Sequence, residues 1–210
     1  MNVPLNFKKT NIADVAREIA IIRDMNTLLN VSADLIRERF KYYHVGIFLI
    51  DERSEYAFLR AASSVAAEKM LASKYKLKVG KTGLVGNVTS TGQAYIALDV
   101  GIDATHFENP LLPDTRSEIA LPLRTRSITV GALDIQANVP NAFTQQDIQT
   151  LQILADQLAA AIENAQLVQQ VEGTLDELTK SNRSQTKQIW LSAVNERDVP
   201  TYEYDGLQVS

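Results

Sequence analysis

Apolar residues recur along this chain at two periods, and the changes of period mark its elements. At 119–124 and 128–136, Ile, Val and Leu dominate two short runs separated by the turn 125–127, which predicts an antiparallel hairpin. Pro122 interrupts the first run, so that strand lies at an edge or contains a bulge. The run 45–50 is continuously apolar and of strand length, which predicts a central strand covered on both faces. At 56–62 a second strand places Tyr56, Phe58 and Arg60 on one face. At 74–79, Lys74, Lys76 and Lys78 alternate with Tyr75, Leu77 and Val79, the pattern of a half-buried strand whose lysines protect a sheet edge. Short helices are expected at 65–73 and 83–90, the latter stopped by Thr91-Gly92, and a further strand at 94–98.

The helical period takes over at both ends. Asn11 can cap a helix carrying Ile12, Val15, Ile19 and Ile22 at three-four-three spacing, a narrow stripe suited to a helix partner, and Asn26 continues it where a polar residue can fix register. The alternative is an N-terminal helix packed on its own domain. A second helical piece is expected at 32–40. Thr144 and Asp147 form a capping box before a wide stripe of Ile148, Leu151, Leu154, Ala155, Leu158, Ala161, Ile162 and Ala165. Beyond it only Val168, Val171, Leu175 and Leu178 remain, a seam that predicts a dimeric coiled coil despite Gly173, which costs up to about 1 kcal/mol in a helix. The expectation is a homodimer through the terminal helices, its interface drawn from Ile12, Val15, Ile19, Ile22, Ala161, Ala165, Val168, Val171, Leu175 and Leu178. The last segment, with Trp190, Pro200 and Tyr202, has no clear period and reads as a linker toward a further module. The organisation expected is a signalling helix at 1–30, a domain at 31–170 and a coiled-coil extension at 171–210.

Composition narrows the chemistry. A net charge of −4 argues against nucleic-acid binding through bulk positive charge. The chain has no cysteine, which removes disulfides, thiolate metal sites and thiol nucleophiles. No apolar run approaches the roughly 20 residues of a membrane span, and the N-terminus lacks a signal-peptide core, so a cytoplasmic protein is the default. Gly80-Lys81-Thr82 fails as a phosphate loop because Tyr75 stands where the motif needs its first glycine. The loop 99–113, with two prolines, is long enough to be functional. In the strand 128–136, Asp134 and Gln136 extend the apolar face of Ile128, Val130 and Ala132, which suits either a pocket lip or a strand end reaching solvent. Arg116 and Glu118 can share a strand face as an internal ion pair, or Arg116 can offer its donor fork to an anion. His44 reads as structural, and His106 as a solvated loop residue with a ligand role as the alternative. With no nucleophile, metal cluster or phosphate loop, no catalytic activity is expected.

The ordered series VGIFLID, VGKTGLVGNVTSTGQAYIALDV, LPDTRSEIALPLR, VGALDIQ and NAFTQQDIQTLQILADQLAAAIENA resembles bacterial GAF domains of multi-module signalling proteins, over about residues 30–170. The resemblance implies an α+β fold: a GAF/PAS-like central antiparallel sheet of five or six strands flanked by helices, with long N- and C-terminal helices. It also implies a small-molecule pocket between the sheet and the loops, and a place upstream of an output module such as a histidine kinase of a two-component system. The cyclic-nucleotide pattern of the family is broken: Phe143 and Asp147 match, but Gln136-Ala137 replace Asn-Lys and Ile148 replaces Glu. Bilin attachment and the free methionine sulfoxide reductase activity found in this fold require thiols. The expected function is therefore a non-catalytic sensor module that binds a small molecule or relays signals through a helical dimer; the alternative is a ligand-free dimerisation scaffold. No cofactor is required. Candidate pocket residues are Phe48, Tyr95, Phe107, Arg116, Glu118, Asp134 and Gln136.

Overall fold

A computed structural model describes residues 12–126 and 128–195, with side chains described as far as 192. In chain order the elements are α1 (Ile12–Ala20), α2 (Met25–Phe40), β1 (His44–Ile50), β2 (Tyr56–Ser63), α3 (Ala67–Ala72), β3 (Lys76–Lys78), α4 (Gly83–Thr91), β4 (Tyr95–Ala97), β5 (Ser117–Arg124), β6 (Thr129–Ala137) and α5 (Gln145–Asn195). The chain divides into two units, 1–167 and 168–210.

In the first unit the six strands form one sheet in the order β3-β2-β1-β6-β5-β4, with every pairing antiparallel. The apolar run of β1 is explained by its place between β2 and β6, where both of its faces are covered. Val45 and Ile47, with Ile119, Leu121, Leu133 and Ile135, face a core completed by α1, α2 and α5. Phe48, with Leu59, Ala120 and Ala132, faces the opposite core, built with Met70 of α3, Leu84, Val85 and Val88 of α4, and Leu112. Each fully buried Leu, Ile or Phe contributes about 1.5–3 kcal/mol, so the two cores secure the sheet from both sides. Pro122 is tolerated because β4 pairs with β5 only at Glu118, Ile119 and Ala120, leaving the proline beyond that ladder. A register shift at Leu123/Arg124 follows it.

The N-terminal helices depart from the expected single segment. The chain breaks after Ala20, and Asp24 caps α2, accepting from the Thr27 N–H at 2.8 Å and from Thr27 Oγ1 at 2.6 Å. Asn26 therefore lies in the first turn of α2 and does not continue the α1 stripe. Val15 and Ile19 are fully buried in the chain's own core, and Ile12 and Ile22 pack against it. Ala161 and Ala165 are buried in the same core. These positions are thus filled from within the chain, and of the seam read from the sequence it is Val168, Val171, Leu175 and Leu178 that remain exposed. The capping box of α5 forms as expected: Asp147 Oδ2 accepts from the Thr144 N–H at 2.7 Å, and the Asp147 N–H donates to Thr144 Oγ1 at 3.2 Å.

In the second unit α5 continues to Asn195. The Asn11 cap, Ser127 of the hairpin turn, Pro200 and Tyr202 lie outside the described residues. Among the described residues, no helix is long and apolar enough to cross a membrane.

Candidate functional site

Strand pleating delivers polar side chains to the face that carries Phe48. Across β1, β6 and β5, His44 is paired with Gln136, Gly46 with Asp134, Phe48 with Ala132, and Glu118 with Gln136. Because side chains alternate along a strand, Phe48, Glu118, Asp134 and Gln136 all reach one side of the sheet. There they line a narrow pocket of about 20 Å³, together with Met70, Tyr75, Leu77, Gly83, Leu84, Val85, Phe107 and Asn109. That volume holds about one water molecule, so the pocket is closed in this conformation.

The floor is a connected polar network. His106 Nδ1 lies 2.6 Å from Glu118 Oε2. Thr115 Oγ1 donates to Gln136 Oε1 at 2.6 Å, which turns the amide so that Gln136 Nε2 donates to Asp134 Oδ2 at 2.8 Å. Asp134 is 2% exposed and shares a side-chain hydrogen bond with Glu118. Burial pushes Glu118 up to about 7, and the neighbouring Asp103 charge adds to the rise while the bond with Asp134 opposes it. Burial also raises Asp134 well above the usual carboxylate range, and the Glu118 charge raises it further. Two buried carboxyls so placed hold a proton at neutral pH, because ionising both would leave like charges side by side without water. Burial lowers His106, against the pull of Asp134, Asp103 and Glu108.

The pocket wall is aromatic and flexible in chemistry. Phe48 meets Tyr75 edge-on with ring centroids 6.4 Å apart, and burial pushes the Tyr75 hydroxyl up to about 12. Met70 supplies a polarisable sulfur, toward which Asn109 Nδ2 points at 3.8 Å. The first turn of α4 completes the lining. Gly83 adopts φ +65°, and a Cβ there would stand 3.2 Å from Phe107 Cβ, so glycine lets Phe107 close over the helix. Thr82, the N-cap of α4, makes no side-chain bond to the helix, leaving its amino end without that cap.

Of the residues singled out from sequence, Phe48, Phe107, Glu118, Asp134 and Gln136 line this pocket, whereas Tyr95 and Arg116 do not. The Tyr95 hydroxyl donates to Asp103 at 3.4 Å and accepts from Thr105 at 3.2 Å, tying down the long loop. The expected Arg116–Glu118 pair does not form. Arg116 precedes β5, outside its pleat, and its guanidinium lies 3.7 Å from Asp99, while Glu118 faces inward to His106. His106 is accordingly a site residue and not a solvated one. His44 is structural as expected: it is buried, its Nδ1 lies 2.9 Å from Ser64 Oγ, and burial lowers it to about 4. Sequence reasoning missed Met70, Tyr75, Asn109 and Thr115. Tyr75 carried a usable signal, since the alternation with Lys74 and Lys76 already placed it on the buried face. Among the described residues, no group of three or more His, Asp or Glu converges as a metal site.

The chain's relatives agree with this architecture. The GAF domain family model matches residues 22–163. GAF domain-containing protein A of Dictyostelium discoideum is 28% identical over 120 residues, 57% of this chain and 69% of that protein. Among solved structures, a free methionine-R-sulfoxide reductase from Neisseria meningitidis, in complex with its substrate, superposes with a TM-score of 0.66 at 24% identity, over 75% of this chain and 89% of that one. The GAF domain of a phosphoenolpyruvate-protein phosphotransferase from Coxiella burnetii gives 0.66 at 20% identity, over 74% and 92%. The reductases correct one expectation. Free methionine-R-sulfoxide reductases whose chains are nearly filled by this fold are themselves enzymes, so the absence of catalysis expected from sequence does not stand. With the family model covering most of its length, the chain belongs to the GAF domain family, a family of regulatory and sensor folds.

Proposed function

We propose that this GAF domain is a receptor for a small zwitterion of the amino-acid type. The observation that carries the reading is Asp134, buried beside Glu118 on the polar floor of a pocket with largely apolar walls, the two carboxyls holding a proton between them. Two carboxylates left side by side there without a counter-charge are unfavourable, and a ligand ammonium would take the place of the shared proton. The uncapped amino end of α4, on the same pocket, suits a carboxylate, since helix N-termini favour anions. Met70, Tyr75, Phe48 and Phe107 suit the apolar remainder. The Neisseria reductase, bound to its substrate, makes free methionine sulfoxide the first compound to test.

A ligand of this size exceeds the closed pocket, so Phe107, 51% exposed, and the loop 99–113 must swing outward to admit it. Binding would thereby alter the loop that precedes β5, and β6, which carries Asp134, leads through 138–144 into α5. That continuity supports a regulatory role.

Calorimetric titration with free methionine, its sulfoxide and a panel of α-amino acids tests the reading. We expect one class to bind, its N-acetyl and ester derivatives to bind at least about tenfold more weakly, and Asp134→Asn to abolish the discrimination against the N-acetyl form. Equal binding of the N-acetyl derivative, or binding by none of the panel, overturns it. A second reading rests on Glu118: a carboxyl pushed up to about 7 beside His106 is poised for acid–base chemistry on whatever the pocket holds. Following the bound compound by NMR separates the two, since a receptor returns it unchanged.

A further inference from the structure

The outward face of β2 and β3 joins aromatic rings to cations. Antiparallel pairing sets Tyr56 opposite Lys78 and Phe58 opposite Lys76, so these four side chains share one side of the sheet. Ala57, Leu59 and Leu77 alternate with them and enter the core on the pocket side, which puts the ring-and-cation face on the other side of the sheet from the candidate pocket. Tyr56 and Phe58 are half-buried and meet edge-on with centroids 6.4 Å apart, whereas Arg60, Lys76 and Lys78 are exposed. Lys76 Nζ lies 4.1 Å from the Tyr56 ring centroid and 5.3 Å from that of Phe58. Arg60 is the residue passed over by the register shift between β1 and β2, and its guanidinium carbon lies 5.6 Å from the Phe58 ring centroid. Neither strand contains an acidic residue, and among the described residues no ion pair involves Arg60, Lys76 or Lys78.

We propose that this face binds single-stranded nucleic acid, its rings receiving bases and its cations receiving phosphates. The two strands repeat one unit, a ring beside an ammonium, and a polymer that alternates planar bases with phosphates matches that repeat. An acidic peptide would engage the three cations and leave the rings without a role. Guarding a sheet edge against mispairing accounts for the lysines of β3, but not for two half-open aromatic rings beside them. The cation–ring contacts are the resting arrangement. An exposed contact of that kind is weaker than a base stack, so a base takes the place of Lys76 over Tyr56 and releases the ammonium to a phosphate. A duplex keeps its base faces stacked inside and has nothing to offer the rings. With a net charge of −4 the chain supplies no bulk attraction, so the affinity is local and its salt dependence shallow. Three phosphates neutralised in a single strand give log K a slope of about −2 against log salt.

Fluorescence anisotropy of a labelled oligouridylate of about ten nucleotides, titrated with the full chain over a range of salt, tests the assignment. We expect saturable binding with that slope, weakened at least about fivefold by Tyr56→Ala and by Phe58→Ala, each checked for folding by circular dichroism. Lys76→Gln and Lys78→Gln alter exposed side chains and keep the fold, and each is expected to flatten the salt slope by about 0.7, which keeps the test decisive where a ring substitution unsettles the domain. An oligouridylate that does not bind overturns the proposal, as do folded ring variants that bind as tightly as the parent, or lysine variants with an unchanged slope. An adenine–uracil duplex of the same length bound equally well also overturns it, leaving only attraction to phosphate. Equal binding of poly-glutamate overturns it in favour of an acidic-peptide surface.

Discussion

Glu118 makes the stability of the empty domain depend on pH in an unusual direction. Its ordinary value near 4.5 is raised to about 7 in the fold, so between these limits the folded state holds a proton that the unfolded state has lost. Stability contributed by that proton therefore falls as pH rises through this window. His44 and His106, both lowered by burial, act in the opposite sense, because the unfolded chain takes up their protons first. The prediction is accordingly a difference measured with His106→Asn in both proteins, so that the imidazole touching Glu118 is removed and His44 cancels: the Tm of the protein with Glu118 relative to that with Glu118→Gln declines as pH rises from about 5 to 8. A constant difference across that range means that the carboxyl is not held protonated. Asp134 and Gln136 were visible in the sequence because they break an apolar strand face. The fact that they stay buried was not, since it depends on α4 and the loop 99–113 folding over them from elsewhere in the chain. His106 was hidden for the same reason: its partner lies in β5, and no local pattern announces the contact.

At the scale of elements, Gly131 of β6 lies where the backbone of β1 leaves no room for a side chain. A Cβ on Gly131 would stand 2.0 Å from the Phe48 carbonyl oxygen, a distance that only a shift of the backbone can relieve. Gly131→Ala is therefore expected to destabilise by more than the about 1–3 kcal/mol of ordinary overpacking, and to weaken ligand binding because Phe48 lines the pocket. Urea unfolding monitored by far-UV circular dichroism measures the first, and a destabilisation below about 0.5 kcal/mol would refute the close contact. The strands were legible from the period-two alternation and from the continuous run at 45–50, since pleating and burial impose these patterns directly. The break between α1 and α2 was less legible. Its signal, Asp24 followed three residues later by Thr27, lies inside what reads as one amphipathic stripe continuing to Asn26.

At the scale of the whole molecule, the stripe of Ile12, Val15, Ile19 and Ile22 has the same spacing whether its partner is another chain or the protein's own core. The structure gives it to the chain's own core, beside α2. Spacing alone cannot decide such a case; what distinguishes the 168–178 seam is that its residues remain solvent-exposed. The pocket's size has a further consequence, for timing. A cavity that accommodates about one water admits an amino acid only from the minor, opened population, so the open fraction scales the apparent affinity. In rapid mixing, the observed binding rate should therefore level off at the opening rate as ligand concentration increases. Replacing Phe107 by alanine should raise that plateau, whereas a rate that climbs linearly without limit would mean the door stands open already.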